Sequence, residues 1–420
     1  MMRVVSVLLP CSAPLLTAAG LTAQQSPAQQ DLAPRVEALE KRNAELETKL
    51  SILADEQESL TLGELVQPMG QSQHGLGPAA SKVYSTGEGL SIGGYGEWIY
   101  QPRNGSTPDT VDALRAVLYI GYHFTENWVF NSEIEWEHAG EEVGVEFAYL
   151  DYLWRSTLNF RGGLVLVPMG FLNEMHEPQT FLTATRGEVE QRILPSTWRE
   201  PGVGVFGEAG PLSYRAYVID GFDALGFTDE SLRDGRQEGI EALAEDLAIV
   251  GRLDWTATPG VVTGVSLYQG NSGQDQPGLG STGVTLGEVH AELRSHGLWL
   301  RGLAALGEID DVTELNNANG FTGADSVGEE LQGYYVEAGY DVLTLLEGRD
   351  SRSLMPYVRY EEIDTQHEVP AGFASDPAND TDVLTFGLRF QPISGLVFKA
   401  EYQDFESASD GANVAMGYAF

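Results

Sequence analysis

Apolar and polar residues alternate in short segments from residue 90 to the C-terminus, and turn-forming residues separate these segments. An alternation with a period of two is typical of a β-strand whose two faces meet different surroundings. No helical period is present in this part of the chain. The pattern predicts about 16 strands, at 90–100, 114–124, 128–136, 143–154, 159–168, 202–209, 212–218, 247–255, 261–268, 283–293, 298–307, 331–341, 354–363, 382–390, 396–405 and 413–420.

The connections between these strands alternate in length. Long polar connections lie at 169–200, 220–246, 270–282, 308–330 and 364–381, and tight turns rich in Gly, Pro and Asn lie between them. A transmembrane barrel segregates long and short connections because its two rims face different compartments. A soluble sandwich has no reason to do so. The alternation therefore predicts an all-β fold, a closed antiparallel transmembrane β-barrel.

The last strand supports closure of the barrel. Large apolar residues at Val414, Met416, Tyr418 and Phe420 alternate with small or polar ones, and no turn follows. Such a strand suits a sheet that closes on its own first strand, which leaves no unpaired edge. Its aromatic end resembles the signal by which outer-membrane assembly machinery recognises barrel chains. Other aromatic residues lie at strand ends, as in a headgroup girdle: Trp98, Tyr100, Trp128, Trp154 and Phe390.

A heptad pattern precedes the barrel in residues 31–62. Leucines recur every seven residues, and a second set lies between them, which predicts a helical coiled coil with a polar Asn at one seam position. Its predicted oligomerisation residues are Leu32, Leu39, Asn43, Leu46, Leu50, Leu53 and Leu60. The alternative is one amphipathic helix packed on its own domain. A pattern of this kind is compatible with a coiled coil of two or three helices.

The remaining N-terminal residues divide into two predicted segments. Arg3 followed by an apolar stretch and small residues predicts a signal peptide over 1–23, with cleavage after Gly20, Ala23 or Ala28. The single cysteine, Cys11, lies in that stretch. Residues 63–88, rich in Gly, Ser, Gln and Pro, predict a flexible linker with a solvated His74. The barrel is then expected over 89–420.

Charge and composition exclude several functions. The net charge is −38, from 62 acidic and 24 basic residues, which argues against a nucleic-acid partner. After the N-terminus no apolar stretch is long enough for a transmembrane helix. No nucleophile–base arrangement, metal signature or phosphate loop is present, so we expect neither an enzyme nor a cofactor or metal site.

A barrel of this size is wide enough for an aqueous channel, and its selectivity would come from charges that face inward. Strand parity predicts that the pore is lined by Arg115, Glu133, Glu135, Glu137, Glu146, Arg252, Arg301, Arg359, Arg389 and Lys399. We expect these side chains to be hydrated. The three carboxylates at 133, 135 and 137 share one face, as a cation site or as part of a wet wall.

The long connection after the fifth strand is the predicted constriction. It is mixed in charge, and long loops within compact folds are usually functional. Opposed charges across the pore are expected from Glu174, His176, Glu177, Arg186, Glu190, Arg192 and Arg199. The alternative is an external loop packed at a subunit contact.

The same region resembles the porin O/P family of phosphate- and polyphosphate-selective outer-membrane porins. The matching positions are Pro168-Met169-Gly170, Glu190-Gln191-Arg192, and the run from Arg199 to Val203. The resemblance implies a trimeric, 16-stranded barrel with a short helical N-terminus and an inward loop. Phosphate-selective members carry arginine ladders and lysines in the pore. Strand parity also places Arg215 and six further acids inward, namely Glu97, Asp254, Glu288, Glu292, Glu361 and Glu401. The full inward set then has ten acids against seven bases, so phosphate selectivity is not carried over.

These observations predict an outer-membrane porin for small hydrophilic solutes or ions, with a preference for cations. Two alternatives remain, an anion-selective porin of the O/P type and a structural anchor tethered through its coiled coil. The expected partners are outer-membrane lipid and lipopolysaccharide, further copies of the chain in a homotrimer, and the assembly machinery. The N-terminal segment is expected in the periplasm.

Overall fold

The computed structural model describes residues 32–59, 71–103, 108–346, 351–406 and 410–420. The chain divides into two compact units, residues 1–64 and 65–420. The predicted signal peptide, Leu60 of the predicted seam, and residues 63–70 of the predicted linker lie outside the described residues.

The described part of the first unit is one helix, α1, which spans Leu32–Ser59. The predicted helix is therefore confirmed. Its seam side chains are open to solvent, with exposed fractions of 49% for Val36, 65% for Leu39, 52% for Leu46 and 70% for Leu50. The side chains of Leu32 and Leu53 lie outside the described residues, and association of the helix with a partner stays a prediction. No helix in the described residues combines the length and the apolar character needed to cross a membrane.

The second unit is a closed barrel of 16 antiparallel strands, as predicted. A short helix, α2 (Val312–Asn319), lies in the connection between β11 and β12. The strands are β1 (Gly89–Gln101), β2 (Thr110–His123), β3 (Trp128–Glu137), β4 (Glu142–Arg155), β5 (Leu158–Leu166), β6 (Arg199–Ala209), β7 (Leu212–Asp220), β8 (Leu247–Trp255), β9 (Val261–Asn271), β10 (Gly283–Ser295), β11 (Leu298–Ile309), β12 (Glu330–Tyr340), β13 (Ser353–Glu368), β14 (Asp380–Ile393), β15 (Leu396–Phe405) and β16 (Gly411–Ala419).

The terminal strand closes the barrel on the first. Strand β16 pairs with β1, with Tyr95 opposite Ala419. Beyond the strand, Phe420 donates its backbone N–H to the carbonyl of Gly94 at 2.9 Å and accepts the N–H of Gly94 at 3.1 Å. The last residue of the chain therefore completes the ladder, and the sheet has no free edge.

The two rims differ as the connection lengths predict. On one, which we call the short-turn rim, turns such as 156–157 and 394–395 have two residues, and one connection, 341–352, is longer. On the other, the long-loop rim, the five connections from β5–β6 to β13–β14 are long, and the remaining ones, such as 138–141, are shorter. Outward side chains are apolar and exposed, as at Val265 (49%) and Leu306 (65%), whereas inward ones are mostly buried. This is the arrangement that lipid contact on the outside requires.

The long connection between β5 and β6, residues 167–198, folds into the lumen, and we call it loop L3. It contacts inward side chains on opposite sides of the barrel, among them Glu133 on β3, Arg215 on β7 and Lys399 on β15. Only a loop that crosses the interior can reach all three. Most of its side chains are buried.

Residues 71–88, which we call the pre-barrel segment, also lie inside the barrel. The prediction of a flexible linker is wrong for this part of the chain. The segment contains a short 3₁₀ helix, Ala80–Ser85, and its apolar side chains Leu76 and Val83 are 1% and 2% exposed. Its wall contacts lie near the short-turn rim, for example at Asn131 on β3 and Phe206 on β6. The few apolar residues of the segment pack together against the barrel interior, and the overall composition of the segment does not reveal this.

Candidate functional site

The ten predicted pore-lining charges face inward, but they are not hydrated as expected. Nine are buried, with exposed fractions of 8% or less, and only the side chain of Glu137 is substantially exposed, at 31%. The expectation of a wet lumen is wrong at mid-height because L3 and the pre-barrel segment fill the interior. Buried charges are costly unless they are paired and hydrogen-bonded, and most of these are.

Arg115 on β2 lies among the carboxylates of the neighbouring strands. Its guanidinium is 3.2 Å from Glu97, 3.7 Å from Glu135 and 3.6 Å from Glu137. The third carboxylate of the predicted row, Glu133, instead pairs with His176 of L3 at 3.1 Å. The row is therefore divided between one wall arginine and one loop histidine, and its three members do not point at a common centre.

Wall charges on β11, β14 and β15 hold the backbone of L3. Arg301 donates to the carbonyl of Thr180 at 2.9 Å, Arg389 to that of Gln179 at 3.1 Å, and Lys399 to that of Thr183 at 2.7 Å. Because a charged donor strengthens a hydrogen bond, each contact anchors the loop well. These three predicted pore-lining residues fix the loop in place.

Carboxylates of the same wall bind L3 from the other direction. Glu401 accepts the N–H of Ala184 at 2.6 Å, and Glu361 accepts the N–H of Val189 at 2.7 Å. Arg359 stands beside Glu361, 2.9 Å away. Basic wall residues thus bind carbonyls between residues 179 and 183 of the loop, and acidic wall residues bind amides between residues 184 and 189.

On the opposite wall, a charge network receives the start of L3. Arg215 lies 3.0 Å from Glu174 of the loop and 2.7 Å from Asp254. Arg252 also pairs with Asp254, and it donates to the carbonyl of Gly170. Burial raises the pKa of Glu174, while the neighbouring arginines oppose that shift. The network ties L3 to β7 and β8.

The seven predicted constriction residues do not form one ring of opposed charges. Glu190 accepts the N–H of Leu172 within the loop at 2.8 Å and the hydroxyl of Tyr335 on β12 at 2.7 Å. Arg192 reaches outward to the carbonyl of Glu230. Arg199 is the first residue of β6 and pairs with Glu146 at 2.8 Å.

Two further members of this set have separate roles. Arg186 approaches the hydroxyl of Ser196 within the loop, at 3.5 Å. Glu177 accepts the backbone N–H groups of Ala79 and Ala80 at 2.8 and 2.9 Å, so it joins L3 to the pre-barrel segment. Burial raises the pKa of Glu177 to about 7, although these two N–H groups favour its ionised form.

Sequence reasoning missed a buried cluster that receives the pre-barrel segment. Tyr84 donates its hydroxyl proton to Asp151 at 2.6 Å, and Arg161 donates to the Tyr84 oxygen at 2.9 Å. Arg161 also binds both oxygens of Asp151 at 2.9 Å. His74 stacks edge-on against Tyr84, and burial together with Arg161 lowers its pKa to about 4. The apolar residues within the pre-barrel segment are the feature of the sequence from which its burial, and so this cluster, could have been predicted.

Among the cavities that L3 lines, two lie on opposite sides of the loop. One, of about 400 Å³, lies toward the long-loop rim and is lined by Phe181 and Arg186 of the loop and by Glu97, Arg115 and Glu137 of the wall. The other, of about 820 Å³, lies toward the short-turn rim. Its lining includes Glu177, Gln179, Arg294, Trp299 and Arg389. Residues 177–186 of L3 therefore separate two solvent-accessible spaces.

Known proteins resemble the chain at two levels. No family model matches the sequence. A protein of Aquifex aeolicus (strain VF5), described as uncharacterized, is 36% identical over 367 residues, which is 83% of each chain. Among solved structures, Salmonella typhi OmpF is 14% identical with a TM-score of 0.54, over 80% of this chain and 98% of that chain. A loop L8 deletion mutant of OmpT from Vibrio cholerae is 13% identical with a TM-score of 0.50, over 79% and 99%.

Proposed function

Because the chain belongs to the same family as the uncharacterized Aquifex aeolicus protein and has the fold of bacterial porins, we propose that it is an outer-membrane porin. It admits small hydrophilic solutes or ions by passive diffusion. The observation that carries the proposal is a closed 16-stranded barrel with loop L3 inside the lumen and a cavity on each side of that loop. The O/P resemblance adds no substrate to this proposal.

The narrowest part of the path is proposed to lie at Phe181. This side chain is 3% exposed, and its ring lies 3.5 Å from the ammonium group of Lys399. It lines the cavity on the long-loop side, while Gln179, two residues earlier, lines the cavity on the short-turn side. A solute that moves between the two cavities by the shortest path must pass this part of L3.

A cation preference is supported by the charge at the long-loop mouth. An outer cavity of about 700 Å³ is lined by Glu188, Asp229, Glu230 and Asp234, with two arginines among its other residues. Acidic groups at a mouth raise the local concentration of cations and lower that of anions. The ion-selective step is proposed to begin here.

One observation favours anion selectivity, which is the second candidate. The cavity on the short-turn side is lined by Arg294, Arg389 and His296, with Glu177 and Asp341 as its acids. A third candidate, the structural anchor, gains support from the burial of the mid-lumen charges, since a filled lumen passes little. The presence of conductance and the sign of the ion selectivity distinguish the three candidate functions.

The first test is planar-bilayer conductance of the purified protein across a KCl gradient. We expect discrete steps and a reversal potential of the sign given by cation flow. Discrete steps together with a reversal potential of the opposite sign would establish the anion-selective candidate. Folded barrels that insert without conducting would reject the porin proposal and leave the anchor.

Phe181→Ala tests the position of the constriction. Removing the ring opens space between the two cavities, and we expect the unit conductance to rise by about twofold. Phe386→Ala is the matched control, because Phe386 is on the outer face of β14 and is 51% exposed. An unchanged conductance for Phe181→Ala in a folded barrel would show that the narrowest point lies elsewhere.

The exposed seam of α1 is proposed to join copies of the chain, as a homotrimer with the N-terminal segment in the periplasm. Each leucine withdrawn from water contributes ~1.5–3 kcal/mol to association. Leu39→Gln combined with Leu46→Gln should therefore shift the protein toward monomers in sedimentation velocity. Ala38→Gln with Ala44→Gln, off the seam, should not. Equal oligomerisation in both variants would contradict the proposed role of the helix.

A further inference from the structure

The pre-barrel segment occupies the lumen on the side of the short-turn rim, and it is tightly packed there. Leu76, Ala79, Ala80 and Val83 are each 4% exposed or less. Ordering a segment of this length costs conformational entropy, so it stays in place only if its contacts offset that cost. The contacts come from three directions.

The first set of contacts comes from L3. Glu177 accepts the N–H groups of Ala79 and Ala80, which begin the short 3₁₀ helix of the segment. The carboxylate is 1% exposed, and a Cβ at Gly77 would overlap it. The loop and the segment therefore share a buried, fitted contact that involves no strand.

The second set comes from the wall formed by β2, β3, β4 and β5. Asn131 donates to the carbonyl of Ala80 at 2.9 Å, and Tyr84 is held between Asp151 and Arg161. Gly121 completes this surface, because a Cβ there would lie 2.5 Å from the side chain of Val83. The wall therefore has no side chain at the position where Val83 packs against it.

The third contact is at the β6 wall, where His74 packs edge-on against Phe206 with ring centroids 5.1 Å apart. The segment thus reaches from β2 to β6, across about a third of the strands of the barrel. Pro78 of the same segment also lines the cavity on the short-turn side of L3. The space left for solutes at this level lies between the segment and the opposite wall.

We infer that residues 71–88 are an internal plug that restricts passage at the short-turn side, and that Glu177 couples this plug to the constriction loop. The inference rests on the proposed porin function for its effect on conductance, but the presence of the plug can be measured without any transport. Weakening the Glu177 or Tyr84 contacts should release the segment while the barrel stays closed.

The test uses single cysteines in the full-length protein with Cys11→Ala, reconstituted in lipid. A membrane-impermeant maleimide should label Ala79→Cys, a buried site, about tenfold more slowly than Ser72→Cys, an exposed site of the same segment. Adding Glu177→Ala or the milder Tyr84→Phe should remove most of this protection. Glu245→Ala, on an exposed loop, should leave it intact. Heat-modifiable electrophoretic mobility reports that each barrel is folded.

Conductance of the same variants completes the test. We expect Glu177→Ala and Tyr84→Phe to raise the unit conductance or the open fraction by about twofold, and Glu245→Ala to change neither. Equal labelling of Ala79→Cys and Ser72→Cys would overturn the plug. Faster labelling without any rise in conductance would show that the segment does not restrict passage. A wild-type protein that protects Ala79→Cys but never conducts would reject the porin proposal while the plug stands.

Discussion

Val265→Arg should destabilise the folded barrel in a bilayer by ~2–4 kcal/mol, because a charge on the lipid face near mid-membrane is poorly solvated. Val265 lies in the middle of β9, opposite Leu253 on one side and Val289 on the other, and its side chain is 49% exposed. The measurement is reversible urea unfolding in lipid vesicles, followed by tryptophan fluorescence.

Val261→Arg is the matched control for this experiment. It changes the same residue type on the same strand and face, but at the first position of β9, on the short-turn rim. A charge near the interface costs only ~0–1 kcal/mol, since its side chain reaches the headgroups. Equal losses of stability at the two positions would contradict the assignment of the outer face to lipid.

Asp151→Ala should cost ~3–5 kcal/mol of stability, because it leaves the guanidinium of Arg161 buried without its partner. Asp151 is 0% exposed and accepts from Tyr84 as well as from Arg161. The double variant Asp151→Asn with Arg161→Gln, which removes both charges, should recover much of the loss. Thermal unfolding followed by electrophoretic mobility would measure both effects.

A partly exposed ion pair provides the comparison. Asp112 pairs with His138 at 2.6 Å, but the side chain of His138 is 46% exposed and that of Asp112 is 30% exposed. Such pairs contribute ~0–1 kcal/mol, so Asp112→Ala should have little effect. If Asp151→Ala were as mild, the buried cluster would not hold the pre-barrel segment, and the support for a plug would weaken.

The strand pattern was predictable because lipid and lumen impose opposite polarity on alternate residues. Strands β8 and β15 begin and end at the predicted residues. The prediction began β6 at 202, but the strand starts at Arg199. Residues 199–201 have a composition typical of a loop, so the pattern did not include them, yet they pair with β5. The prediction ended β13 at 363, but the strand continues to Glu368. Its last five residues are all polar, so the apolar–polar alternation stops before the strand does.

The candidate site was less predictable, since its contacts join residues far apart in sequence. Parity placed Lys399 inward, but only the folded chain shows that its ammonium binds the carbonyl of Thr183 instead of water. The pre-barrel segment was predicted as a linker because it is rich in Gly, Ser, Gln and Pro. Its burial depends on surfaces such as Gly121 that no local pattern reveals.

The pairing of β1 with β16 sets the order in which the molecule can be completed. Tyr95 lies opposite Ala419, so the ladder between β1 and β16 cannot form until β16 has been made. Contacts between residues so distant in sequence are slow to form. Until then both edges would be open to association with other chains. L3 and residues 71–88 lie inside the closed ring, so we expect the filling of the interior and the pairing of β1 with β16 to be coupled, late steps of biogenesis.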